Sequence, residues 1–200
     1  EYAIGLCLVG SEMCIRDRVF AARPLSKRDN RFIYIDRPGF GYSGRDNSKW
    51  DAERQADQAR AYVKKSNGEN LILVGHSWGA LVAMSWAAKY PKEVKGVISI
   101  AGLNMPLSGV SKIANDTGLF NLAYELYFTN VARKVDSGSI EKFAGRMFKP
   151  QDIPKAYLDY LGSDLSRRLS TIKANKNDLV FTPQALDKNF AHYNLSLIHI

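Results

Sequence analysis

The sequence predicts an α/β fold in which parallel strands with flanking helices are followed by a helical region. Strand-like and helix-like segments alternate between residues 31 and 102, and each strand-like run is apolar almost throughout. Strands joined in this way by helices form right-handed βαβ units with a parallel sheet. Continuously apolar strands indicate a sheet that is covered on both faces. After Leu103 only helical periodicity is convincing.

The first three elements of this alternation are a strand, a helix and a second strand. The β-branched and aromatic run RFIYID (31–36) predicts a strand that stops at the turn residues of RPGFGYSG. The segment WDAERQADQARAYVKKSNG (50–68) has Ala and Val at helical spacing and a glycine to end the helix. The apolar run NLILVG (70–75) predicts the next strand.

A second helix, a third strand and a helical region complete the order. WGALVAMSWAAKYP (78–91) predicts a helix that Pro91 ends, and VKGVISIAG (94–102) predicts a strand. Four later segments carry apolar and aromatic residues at helical spacing: LFNLAYELYFTNVARKV, SIEKFAGRMF, IPKAYLDYLGSDLSRRL and PQALDKNFAHY. Packing between helices is the simpler interpretation of their aromatic residues, and a lid over a pocket is the functional alternative.

Composition and charge narrow the classes of partner. The chain of 200 residues is 46% hydrophobic and 24% charged, which is typical of one globular domain. Its net charge of +8 comes from Lys and Arg scattered at helix-surface spacing, so we expect no nucleic-acid partner. No apolar run reaches the roughly 20 residues that cross a bilayer, so we expect no membrane span.

The two ends of the chain fit neither the strands nor the helices of the body. Codons for Met13–Asp17 can be written as part of the reverse complement of codons for Leu195–Ile200, and both ends resemble translated transposase adapter DNA. We therefore predict that residues 1–18 and 195–200 are adapter-derived, and we leave them out of the fold prediction. The body is then expected to be an internal piece of a longer protein.

If the two ends are adapter-derived, several candidate residues no longer belong to the protein. Both cysteines, Cys7 and Cys14, are removed, so the cysteine content indicates no redox compartment. His199 is removed as a candidate base. Because a native N-terminus is then expected to be missing, no targeting signal can be identified, and the cytoplasm is only the default compartment.

Ser77 lies in the pentapeptide GHSWG (75–79), which matches the pattern GxSxG. A nucleophile elbow needs a strand just before the serine, a helix just after it, and small flanking residues, because the turn is tight and strained. The neighbouring segments supply both elements, so Ser77 is the candidate nucleophile. The backbone N–H of Trp78, at the helix N-terminus, is the candidate oxyanion donor. A serine in an ordinary strand-to-helix turn is the weaker alternative.

DRPGFGYS (36–43) and GHSWGA (75–80) both match patterns common in the α/β-hydrolase superfamily, which the chain resembles over residues 19–194. The resemblance implies a partial hydrolase core (19–105) without its N-terminal strands and C-terminal part, followed by a helical lid (106–194). It implies esterase-like or peptidase-like chemistry on a small-molecule acyl substrate, with no cofactor and no metal. A serine at position 77 argues against the dehalogenase and epoxide hydrolase branches, whose nucleophile is an aspartate.

The implied mechanism also needs a histidine to take the proton of Ser77 and an acid to hold that histidine. The resemblance places both after later strands. His76 is next to the serine and projects away from its hydroxyl, and His192 precedes any further strand. A few members carry the acid at the position of Asn104; the carboxylates in lid-like segments are Asp116, Asp136, Asp152 and Asp164. We therefore predict a serine hydrolase whose 200-residue chain alone is inactive.

Two other functions remain open at this point. GFGYSG (39–44) formally matches the dinucleotide fingerprint GxGxxG after a strand. The fit is poor, because Arg37 and Pro38 separate the strand from the first glycine, and Asp57, at the distance of the expected acid, lies in a helical pattern. A dinucleotide-binding domain is the second hypothesis, and a hydrolase-like binding module without activity is the third. The oligomeric state is not determined by the sequence.

Overall fold

The computed structural model describes residues 3–4, 31–65, 70–103, 105–106, 118–119, 122–123, 126, 142, 145–146, 148–155 and 168–192. Within these ranges the elements follow one another in the order β1 (Ala3–Ile4), β2 (Arg31–Phe32), α1 (Ala52–Lys65), β3 (Leu71–His76), α2 (Trp78–Lys89), β4 (Val94–Ile100) and α3 (Leu169–Phe190). The strands form two parallel pairs, β1 with β2 and β3 with β4. The strand-helix-strand unit β3–α2–β4 is thus the parallel unit that the sequence predicts.

Helix α1 begins at a capping aspartate and buries one face. The carboxylate of Asp51 accepts a hydrogen bond from the backbone N–H of Arg54 at 3.0 Å, as an N-cap residue does. Glu53 in the first turn and lysines in the last turn complement the helix dipole. The buried residues recur at helical spacing: Ala52, Gln55, Ala56, Ala59 and Val63. This face packs against α2.

Helix α2 is the centre of the described fold. Every residue from Trp78 to Ala87 is buried, so the helix has no solvated face over most of its length. A helix that is apolar all round must be covered on all sides. It contacts β3 and β4 of the sheet and both other helices. Leu81, Val82 and Trp86 lie in the main hydrophobic cluster with residues of α1, β3 and α3.

The strand predicted over residues 31–36 is shorter than expected. Only Arg31–Phe32 is in a strand, and it pairs with Ala3–Ile4 rather than with β3. Ile33 and Ile35 still pack against the core without joining a ladder. The carbonyl of Asp36, the last residue of the predicted strand, accepts a hydrogen bond from the Ser43 hydroxyl at 2.8 Å, so the run ends in the predicted turn.

Helix α3 begins at Leu169, well before PQALDKNFAHY (183–193), the sequence segment that predicts its last part. It runs through Pro183 as one helix of 22 residues, and its inner face joins the core through Ala185 and Leu186. More than half of the predicted lid (106–194) lies outside the described residues, and both the lid and its boundary with the core stay predictions. Within the described ranges, no helix is long and apolar enough to cross a membrane.

The predicted adapter-derived ends are mostly outside the described residues. Ala3 and Ile4 are described, and they pair in parallel with Arg31 and Phe32. The rest of residues 1–18 and all of 195–200 are not, and this includes Cys7, Cys14 and His199. Their adapter origin stays a prediction.

Candidate active site

Ser77 is the single residue between strand β3 and helix α2. Its backbone has φ 51° and ψ −124°, a conformation that L-residues rarely adopt and that costs of order 1–3 kcal/mol. The turn is held on both sides, because the Ser77 N–H donates to the carbonyl of Ile100 at 3.0 Å and its carbonyl accepts from Ala80 N–H at 3.0 Å. The strand-to-helix turn at Ser77 is therefore strained and fixed to the neighbouring strand.

Gly75 allows the turn to close. A Cβ on this residue would lie 2.5 Å from the carbonyl oxygen of Gly79 and 2.6 Å from Cα of Ala80. Both are backbone atoms, which cannot move aside as a flexible side chain can. Glycine at position 75 therefore lets β3 and the first turn of α2 approach this closely.

The hydroxyl of Ser77 is not used to cap α2. A serine before a helix commonly accepts a hydrogen bond from a backbone N–H of the first turn. Here no such side-chain bond forms, although Ser77 is the N-cap residue. Ser77 is only half-buried, so its side chain is accessible. The hydroxyl thus lies beside the positive end of α2, where the first N–H groups, including that of Trp78, lack partners within the helix.

The side chain of Trp78, 2% exposed, packs against α3 and the loop after β2. Its indole N–H donates to the hydroxyl of Thr182 at 2.8 Å. The guanidinium carbon of Arg37 lies 4.9 Å from the centre of a Trp78 ring, close enough for a cation–π contact. The residue that follows Ser77 is therefore attached to an element more than 100 residues later in the chain.

A buried group of charges lies behind Trp78. The carboxylate of Asp178 on α3 pairs with Arg37 and with Arg45, the latter at 2.9 Å. It also accepts a hydrogen bond from Gln55 of α1 at 3.0 Å. The charged side chains are at most 5% exposed. We call Arg37, Arg45, Gln55 and Asp178 the buried charge cluster; it ties the loop after β2 to α1 and α3.

Sequence reasoning did not identify Asp178. Its segment, KANKNDLVF, is rich in charged and amide residues and resembles a solvated helix surface. A signal was present, because Asp178 lies four residues after Ala174 and four before Thr182, on the same helical face as the buried Ala185. An acidic residue on an inner helical face needs a partner, and its cationic partners lie in RPGFGYSGR.

The described residues place no histidine where it could serve Ser77. His76 is the last residue of β3, half-buried, and neighbouring side chains on a strand point to opposite faces. His192 is exposed and follows α3. Its backbone N–H donates a hydrogen bond to the backbone carbonyl of Asn189. Asn189 in turn contacts Ser85, which at eight residues from Ser77 lies about 12 Å along α2. His192 is therefore remote from the turn.

The other candidate residues add no acid to this turn. Asp152 is exposed. Asn104, Asp116, Asp136, Asp164 and His199 lie outside the described residues. The described ranges also hold no group of three or more His, Cys, Asp or Glu that could bind a metal ion.

The first two glycines of GFGYSG, Gly39 and Gly41, lie close to other residues of the protein and leave little space beside them. Gly39 and Gly41 have φ of 86° and 53°. A Cβ on Gly39 would lie 2.6 Å from Cβ of Ala174. On Gly41 it would overlap the carboxylate of Asp36. Helix α1 begins only at Ala52, so the loop does not end at a helix N-terminus as a pyrophosphate-binding loop does. This geometry does not favour the dinucleotide-binding hypothesis.

A family model of the α/β hydrolase fold matches residues 5–191. The chain therefore belongs to the α/β hydrolase fold family, as the motifs predicted. The match begins at residue 5 and so includes most of residues 1–18, which were predicted to be adapter-derived.

Several relatives match the chain in sequence, and two of them show how far the matches extend. The uncharacterized protein YbdG of Bacillus subtilis is 35% identical over 94 residues, which cover 43% of this chain and 29% of YbdG. A probable serine hydrolase of Drosophila melanogaster is 32% identical over 101 residues, covering 48% of this chain and 30% of the relative. The matched segments thus span less than a third of each relative's length.

Solved structures match over a larger share. The bromoperoxidase from Bacillus anthracis superposes with a TM-score of 0.74 and 15% identity, covering 98% of this chain and 71% of that one. At this level of identity the likeness supports the fold.

Proposed function

We propose that the chain carries the nucleophile of a serine hydrolase that acts on ester or amide bonds of a small-molecule acyl substrate. Ser77 attacks the carbonyl carbon, and the N–H of Trp78 donates to the oxygen that becomes negative. The observation that carries the proposal is the turn itself: a strained, accessible serine whose hydroxyl does not cap the helix that follows. The Drosophila relative described as a probable serine hydrolase supports the same chemistry.

We further propose that the 200-residue chain does not turn over by itself. An unassisted serine hydroxyl is a weak nucleophile and needs a neighbouring base. His76 and His192, the histidines of the described ranges, are both badly placed for this role. The acid and base are expected in a longer chain, after further strands.

The test compares two chains. The first is the 200-residue chain, for which we expect no hydrolysis of short p-nitrophenyl esters above that of its Ser77→Ala variant. The second is a longer chain expressed from the flanking DNA, for which we expect turnover that Ser77→Ala abolishes. Ser85→Ala, on the same helix, is the matched control and should keep the activity.

Each outcome is informative. Turnover by the 200-residue chain that Ser77→Ala abolishes would show that a base is present, and His192→Ala would then be the next variant. A longer open reading frame without a following acid and histidine would refute the enzyme and favour the binding module. Tight, saturable quenching of Trp fluorescence by NADH would favour the dinucleotide-binding domain instead.

A further inference from the structure

The strained turn at Ser77 needs support from outside its own two elements. A residue in a sparsely populated conformation persists only where the surrounding structure over-determines it. Strand β4 gives one support, through the bond from Ser77 N–H to the Ile100 carbonyl. The second support comes from α3, and it acts on the residue directly after Ser77.

This second support is a hydrogen-bonded chain. The indole N–H of Trp78 donates to the hydroxyl oxygen of Thr182 at 2.8 Å, and the hydroxyl donates onward to the carbonyl of Asp178 at 3.0 Å. All three residues are buried, at 5% exposure or less. Buried from water, the Trp78 indole N–H would lose its partner if the Thr182 hydroxyl were removed, and a buried donor without a partner is destabilising.

Asp178 also acts on Trp78 through Arg37, whose guanidinium group lies over the face of the Trp78 ring. Arg37, which lies 4.9 Å from the centre of a Trp78 ring, is paired with the carboxylate of Asp178. Asp178 therefore fixes Trp78 twice: through its carbonyl and Thr182, and through its carboxylate and Arg37. Since Trp78 is the first residue of α2, fixing its side chain fixes the backbone where the helix leaves Ser77.

We propose that Thr182 is a positioning residue that holds the turn at Ser77 through the indole of Trp78. In the proposed reaction this keeps the backbone N–H of Trp78 directed at the oxygen that develops negative charge. That part of the proposal rests on the proposed function. The positioning itself does not depend on whether Ser77 reacts.

The chain offers a matched control. Ser85 on α2 donates to the side-chain carbonyl of Asn189 on α3 at 3.0 Å. This bond joins the same two helices, is also buried, and lies about two turns from Ser77. Removing it should loosen the contact between the helices without acting on the turn.

The experiment measures amide hydrogen exchange of Ser77 and Ala80 by NMR in Thr182→Val, Thr182→Ser and Ser85→Ala, with global stability measured in parallel. Both amides make the backbone bonds that close the turn. After correction for global stability, we expect Thr182→Val to exchange about tenfold faster at both amides, because the loss of a buried hydrogen bond favours local opening of the turn. Thr182→Ser, which keeps the hydroxyl, and Ser85→Ala should exchange at the wild-type rates.

Two results would overturn the proposal: equal exchange at the turn in Thr182→Val and Ser85→Ala, or equal acceleration in Thr182→Ser and Thr182→Val. The second would show that the turn responds to any change of the side chain at position 182 and not specifically to loss of the hydroxyl. If Thr182→Val does not fold, Trp78→Phe removes the donor instead and should accelerate the same two amides. Failure of the longer chain to hydrolyse the esters would refute the proposed function and leave this exchange result unchanged.

Discussion

The two ends of helix α2 are held by opposite kinds of interaction. At the first end, Ser77 is strained, Trp78 is buried, and the charges behind it are almost fully removed from water. At the last end, Lys89 pairs with Asp57 at 2.7 Å with both side chains about 40% exposed. Near it, Arg60 donates to Glu93 at 2.7 Å. The last end is solvated and unstrained.

The difference concerns what each interaction costs to break. A buried charge that loses its partner remains in a low-dielectric interior, so removing one member of a buried pair strongly lowers the free energy of unfolding. An exposed ion pair exchanges its partner for water at little cost. We therefore expect the first end of α2 to be sensitive to single substitutions, and the last end to tolerate them.

The largest effect is expected at Asp178. Asp178→Ala leaves the guanidinium groups of Arg37 and Arg45 buried without their carboxylate, which should lower the free energy of unfolding by about 3–5 kcal/mol. Urea denaturation, monitored by circular dichroism, measures this loss of unfolding free energy. Asp187→Ala removes the same group from an exposed position of the same helix and should change stability by about 0.5 kcal/mol or less. Equal losses would contradict the contrast between buried and exposed charge.

Gly75 should come next. A methyl group at this position meets backbone atoms of Gly79 and Ala80, so Gly75→Ala should destabilise the chain by about 3 kcal/mol. The control is Gly96→Ala on β4, where an added Cβ meets nothing within 4 Å. That variant should be neutral or slightly more stable in the same denaturation experiment. A tolerated Gly75→Ala would mean that the turn can open.

A smaller effect is expected at Ser77, where one substitution should relieve strain. Glycine adopts positive φ without the steric cost, whereas alanine does not. Ser77→Gly should therefore be more stable than Ser77→Ala by about 1 kcal/mol, measured as the difference between their urea midpoints at a common slope. If the two variants unfold together, the turn carries no measurable strain at this residue.

The smallest effect is expected at the last end of α2, where hydrogen bonds from Arg60 lower the pKa of Glu93 from 4.5 to about 2. A carboxyl group with a lowered folded-state pKa stabilises the fold above its unfolded pKa and loses this contribution as the pH falls through the folded value. Glu93→Gln should cost about 1 kcal/mol or less at pH 7, and its difference from wild type should disappear between pH 4.5 and 2.

The measurement is urea denaturation of both chains across that pH range. Asp46, whose pKa is also lowered to about 2 by hydrogen bonds from Ser48 and Trp50, titrates equally in both and cancels in the difference. A difference that stays constant with pH would show that the Arg60 pair does not stabilise the fold.

The local features of the turn were predictable from the sequence. The apolar run before Ser77, the small residues at Gly75 and Gly79, and the helix that follows are all within reach of one another along the chain. The strand predicted over 31–36 was wrong beyond Phe32, although Ile33 and Ile35 still pack against the core. The side-chain pattern indicated burial, but whether the backbone joins a ladder depends on a partner strand that the pattern does not specify.

What the sequence by itself determined is the α/β alternation, the family through its two motifs, and Ser77 as the candidate nucleophile. What only the tertiary structure decided is how that serine is held. Asp178 meets Arg37 across 141 residues, and Thr182 meets Trp78 across 104. Local patterns can indicate that a side chain is buried, but they cannot indicate what it is buried against, because the partner of a buried polar group is set by the packing of distant elements.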